Sequence, residues 1–209
     1  MTGMIRVLMS LALLAVCSGC ALTTAEIDVP YVAAAPATQV AGAAGATVDV
    51  QTTDGRTTYR DRVGVKKNGY GMEMASIVAK NNLTATLTGA FETELTSRGF
   101  RVGAGGADVR VTLVRFYNDF KPGFFSGDAA ATVAFDVKVQ GRGGGMVFSK
   151  YYEGNGIEPN VQFAGGDNAK AALTKAFTAA VTSAVNDPEF IGAVGKAGGS
   201  GARLAAAGL

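Results

Sequence analysis

Cys17 and Cys20 are the only thiols of this 209-residue chain, and their Cys-x-x-Cys spacing admits three chemistries. Such a pair can cycle between dithiol and disulfide, supply half of a metal site, or mark a processing signal. A metal site needs three or four ligands, and the chain has neither a second cysteine pair nor a histidine. The lack of histidine also removes the commonest proton shuttle. That leaves carboxylates. Asp119, Asp128 and Asp136 do not fall at a calcium-loop spacing. Glu153 and Glu158 flank "GNGI" and could stand as the paired acids of a glycosidase. Two glutamates facing water around a loop is the simpler reading. "GGDNAK" lacks the GxxxxGK[ST] order of a phosphate loop and reads as a helix start. No metal, cofactor or catalytic residue is expected. "RFYNDFKPGFFSGD" is denser in aromatics than a hairpin loop needs: Phe116, Tyr117, Phe120, Phe124 and Phe125. They are candidate contacts for a protein or lipid partner, together with Glu153 and Glu158, with packing at a sheet end as the alternative. Stacking on nucleic acid would need a more basic surround.

The position of the cysteines decides between their chemistries. Residues 1–6 carry one positive charge and no acid, and "VLMSLALLAV" follows as a short apolar run. Ten helical residues at 1.5 Å each cannot cross a hydrocarbon core of about 30 Å, so the run reads as a signal peptide over residues 1–19. Ser18 and Gly19 directly precede Cys20, which resembles a bacterial lipobox with Cys17 where leucine is usual. Cleavage between Gly19 and Cys20 would leave Cys20 as an acylated (palmitate-bearing) N-terminus, partnered by membrane lipid. Ala21 and Leu22, rather than Asp, follow it. By the sorting habit of such proteins, the expected address is the outer membrane, on its periplasmic side.

The elements must therefore be built from the remainder. Loss of Arg6 with the leader leaves 18 Lys and Arg against 17 Asp and Glu, a balance that gives no reason to expect nucleic acid. Residues 20–46, including "AAAPATQVAGAAGA", read as lipidated terminus and flexible tether. A short strand at "IDVPYVAA" is the alternative, because Ile27, Val29 and Tyr31 alternate. One α+β domain is expected over 47–194, with a flexible tail over 195–209. Val48 and Val50 alternate toward the Asp54-Gly55 turn. Leu83, Leu87, Phe91 and Leu95 recur every four residues, predicting a helix capped by Asn81 or Asn82 and closed at Gly99, with a start as early as Met72. Three strands follow. "ADVRVTLVRFYNDF" carries apolar residues on both faces. "AAATVAFDVKVQ" alternates cleanly, with Val133, Phe135, Val137 and Val139 inward, and "MVFSKYYEGNG" returns beside it. Asp167 or Asn168 caps a second helix that ends at Asn186-Asp187-Pro188, where Pro188 opens a short turn. The expected body is two helices on one face of a mostly antiparallel four-stranded sheet, in the order β-α-β-β-β-α.

This arrangement resembles the YajG family of bacterial lipoproteins. The resemblance rests on the lipobox, "ELTSRGFRV", "ADVRVTLVRFYNDF", "YYEGNGIE" and the helix running into "AVNDPEFI", in that order up to Ile191. It implies a small envelope lipoprotein with a helix-on-sheet body. It carries no catalytic activity, and Cys20 is the one functional residue it transfers. The expected function is thus a non-enzymatic, membrane-anchored envelope component that binds a protein or lipid. An auxiliary lipoprotein of a transport or assembly complex, and a carboxylate-based enzyme, are the alternatives.

Overall fold

The computed structural model describes residues 22–33, 37–121, 123, 126–141 and 143–199. Cys17, Gly19, Cys20, Phe124 and Phe125 lie outside them. The chain runs β1 (Ala25–Ile27), a 3-10 turn (Ala43–Gly45), β2 (Thr47–Asp54), β3 (Gly64–Lys67), β4 (Glu73–Ala79), α1 (Leu83–Ser97), β5 (Arg101–Val102), β6 (Ala107–Lys121), β7 (Gly127–Gln140), β8 (Met146–Val161), α2 (Gly166–Val185) and α3 (Pro188–Gly199). Among the described residues the sheet has eight strands and is mixed, and three helices cover it, so the expectation of four strands and two helices understates the fold.

β6 is the organising strand. On one side it pairs antiparallel with β7 along its whole length, and β7 pairs antiparallel with β8. On the other side, its first half pairs in parallel with β2, from Val48 opposite Ala107 to Asp54 opposite Leu113. The chain then leaves the sheet and returns as β3, with Gly64 opposite Asn118. β3 forms an antiparallel hairpin with β4, and β1 adds in parallel to β4. A register shift between Leu113 and Arg115 explains the double-sided look of β6. The bulge at Val114 reverses the pleat, so Val109, Val111 and Leu113 face the core before it, and Phe116 and Phe120 face the same core after it.

All three helices pack on that one face. Phe91 of α1 meets Phe135 of β7 edge-on at 5.5 Å, Phe177 of α2 meets Phe116 at 5.9 Å, and Phe190 of α3 meets Phe148 at 5.8 Å. Burying each such ring contributes about 1.5–3 kcal/mol. α1 follows its local signals. The Asn82 side chain accepts from the Ala85 amide, and Gly99 takes φ 97° while the amides of Gly99 and Phe100 close on Thr96 and Leu95. α2 does not follow them: its N-cap is Gly165, with no side-chain cap. The stretch from Met72, read as a possible early start of α1, instead forms β4 over Glu73–Ala79. The short turn expected after Pro188 is a twelve-residue helix that buries Phe190 and runs to Gly199, into the stretch expected as tail.

The stretch expected as a tether docks on the body. Val29 is fully buried, and its amide and carbonyl both bond to the Asn81 side chain. The Tyr31 ring stands edge-on to Phe177, and its hydroxyl donates to Glu94. Glu94 is itself buried and paired to Arg98, which reaches on to Asn186. Burial, reinforced by the hydrogen bond to Glu94, holds the Tyr31 hydroxyl well above its usual pKa. The alternation of Ile27, Val29 and Tyr31 thus marks packing rather than chance.

Candidate functional site

The turns at one end of the sheet line a half-open cavity of about 910 Å³. Its walls come from β1, the β3–β4 hairpin, the β6–β7 connection, the end of β8 and the start of α2. The apolar lining is Ile27, Met74, Phe120, Val161 and Phe163. Phe120 and Val161 belong to the core, whereas Phe163 is 84% exposed at the rim. Lys67 is tied down, with Nζ 2.6 Å from Asp119 Oδ1 and 3.3 Å from the Phe120 carbonyl. A Cβ on Gly166 would lie 3.1 Å from Ile27 Cγ2 and 3.2 Å from Ala25 Cβ, so β1 is seated against the start of α2. A concave, largely apolar space of this size fits a small amphipathic ligand.

The β3–β4 hairpin that forms one wall is held by its own turn. The Asn68 side chain accepts from the amides of Tyr70 and Met72, and the Asn68 amide donates to the Met72 carbonyl. The turn leaves Tyr70 90% and Met72 57% exposed. Asn68-Gly69 is the sequence signal for this hairpin, although the stretch from Met72 also reads as an early start of the helix at Leu83. Met74 and Phe163 had no signal of their own. They matter through the topology that brings them to the same end as Phe120.

The residues singled out from sequence separate. Phe116 is in the core and Phe120 lines the cavity. Tyr117 points to the opposite face of the sheet and stacks on Tyr59 at 4.2 Å, with burial raising its pKa and Arg62 opposing that rise. Glu153 and Glu158 lie on strand β8, not on a loop, and pair with Ala134 and Ala129 of β7. Five residues apart on a regular strand, they point to opposite faces. Glu153 accepts from the Tyr151 hydroxyl on the helix-free face, and Glu158 is 2.7 Å from Lys175 of α2. They do not converge on one substrate. Among the described residues, no group of three or more acids, histidines or cysteines is placed to hold a metal ion. Among the same residues, no helix is long and apolar enough to cross a membrane.

A search of curated proteins finds no match. Among solved structures, the Xanthomonas campestris protein XCC0632 is similar with a TM-score of 0.52 and 14% identity, over 81% of this chain and 92% of that one. An uncharacterized protein is similar with a TM-score of 0.50 and 12% identity, over 79% and 98%. A minor lipoprotein from Acinetobacter baumannii matches with a TM-score of 0.42 and 5% identity, over 68% and 90%. The first two show a shared fold. In sequence, the model of a family of uncharacterized lipoproteins matches residues 33–194, from the docked N-terminal segment to the middle of α3, and the chain belongs to that family.

Proposed function

We propose that the protein is a non-enzymatic binding component of the bacterial envelope, held through acylated Cys20 at the outer membrane and facing the periplasm. The observation that carries the binding role is the cavity of about 910 Å³ with its floor of Ile27, Met74, Phe120 and Val161. Membership of a lipoprotein family supports the anchor, and Ala21 after the cysteine favours the outer membrane. The cavity fits an amphipathic molecule: a chain or ring against the apolar floor, and a polar group toward the rim.

Titration of the purified protein with a fluorescent fatty acid tests the cavity. Saturable binding is expected, weakened at least tenfold by Met74→Arg. Absence of saturable binding, or equal binding by the variant, rejects the ligand site. Intact-mass measurement and membrane fractionation of Cys20→Ser test the anchor separately. Loss of the acyl mass and release from the membrane are expected, and an unchanged distribution rejects the anchor.

A further inference from the structure

We infer that the cavity end is also the membrane-docking surface of the molecule, so that the cavity opens onto the bilayer. The inference rests on the acylation of Cys20 proposed above and adds an orientation to it. Ala25 and Ile27 line the cavity, and Cys20 precedes Ala25 by five residues. Five residues span at most about 18 Å even when fully extended. Because residues 25–32 are docked rather than free, this short leash, not the long stretch to Ala46, sets the distance between lipid and body. The wall of the cavity therefore stays close to the bilayer surface.

The surface at that end has the composition of a membrane contact. Phe163 on the rim is 84% exposed, and the hairpin forming the adjacent wall turns out Tyr70 at 90% and Met72 at 57%. Leu22, within the leash, is 63% exposed. An ordered turn that spends its polar side chain, Asn68, on its own backbone and presents tyrosine and methionine outward suits a headgroup boundary, where amphipathic rings settle. Lys121 also lines this end, beside the carboxylates Glu26, Asp128 and Asp167, and its long side chain can reach a phosphate oxygen. The partner is a phospholipid surface.

The chain contains no tryptophan, so a single introduced one reports its own surroundings. Full-length acylated Phe163→Trp and, as a second probe of the same end, Tyr70→Trp are placed in vesicles with and without brominated phosphatidylcholine. Met146→Trp, at the start of β8 and roughly 50 Å along that strand from its cavity end, is the comparison. Bromine should at least halve the emission at 163 and 70 and leave that at 146 unchanged. Unquenched emission at both 163 and 70, or equal quenching at all three positions, overturns the orientation. Flotation of the same samples separates the two claims. Acylated protein that floats without quenching loses the orientation alone, whereas protein that carries no acyl group and does not float loses the anchor and the orientation with it.

Discussion

Asp187 joins α3 to β8 through one carboxylate. It caps the entry to α3 by accepting from the Glu189 amide, and it receives Lys150 Nζ and the Tyr152 hydroxyl of β8, each at 2.7 Å. Burial pushes its pKa up, but the bonds from Lys150, Tyr152 and the Glu189 amide outweigh that and bring it to about 2, against an ordinary 3.8. A lowered folded pKa stabilises the protein above the unfolded value, and this contribution is lost as pH falls from about 4 through about 2. Asp187→Asn, which does not titrate, should be less stable than wild type at pH 7, with the difference shrinking steadily below pH 4. Urea unfolding across that range reads it, and a difference independent of pH defeats the assignment. At this scale the sequence was legible where the signal is local. Asn82 and Gly99 do what their types and positions dictate. Asp187 read as a helix stop, but its partners on β8 are set by the fold. Likewise Glu94 of α1 pairs with Arg98 one turn further along the same helix, but the Tyr31 that reaches it arrives from elsewhere in the chain.

The contact between β8 and α2 shows what makes two elements fit. Gly154 and Gly156 sit two apart on the same face of β8, beneath Ala172, Ala176 and Ala180 of α2. A Cβ on Gly156 would lie 2.1 Å from the Ala172 carbonyl oxygen and 2.5 Å from the Ala176 amide nitrogen, and both of those are backbone atoms that cannot swing away. Small residues on both elements therefore set the approach of helix to strand. Gly156→Ala should cost about 1–3 kcal/mol in chemical denaturation. Gly145→Ala in the β7–β8 turn, where a Cβ would meet nothing within 4 Å, should stay within about 0.5 kcal/mol. A similar small loss at both positions would mean that α2 is not pressed against β8. The glycines of "EGNGIE" suggested a loop because glycine weakens an isolated strand, whereas here they mark where a helix backbone comes close. β7 was legible throughout, since strict alternation survives burial on one face only. β6 was ambiguous because its bulge shifts the alternation midway. β3 and β4 were missed because four- and seven-residue strands offer little period to read.

For the molecule as a whole, the docked N-terminal segment determines how far the body stands from its anchor. Val29 and Tyr31 fix residues 25–32 between α1, α2 and β4, and Lys80 donates its amide to the Ile27 carbonyl. The sequence could not settle this, because alanine-rich composition and a three-residue alternation pull in opposite directions, and the deciding partners lie about fifty to sixty residues away in Asn81 and Glu94. Val29→Asp combined with Tyr31→Ala places a carboxylate in a fully buried site and removes the ring that covers it, so the segment should leave the body. Amide exchange should then lose protection at Val29 and Lys80 while β7 keeps its own. The free chain would extend from Cys20 to Gln39, where the Gln39 side chain holds the Ser97 carbonyl, and its reach would grow from about 18 Å to about 60 Å. In brominated vesicles the doubly substituted Phe163→Trp protein should still float, because the acyl anchor is untouched. Its tryptophan should escape quenching if the short leash is what holds the cavity end down. Undiminished quenching would mean that Phe163, Tyr70 and Met72 hold this end at the bilayer by their own affinity, without help from the leash.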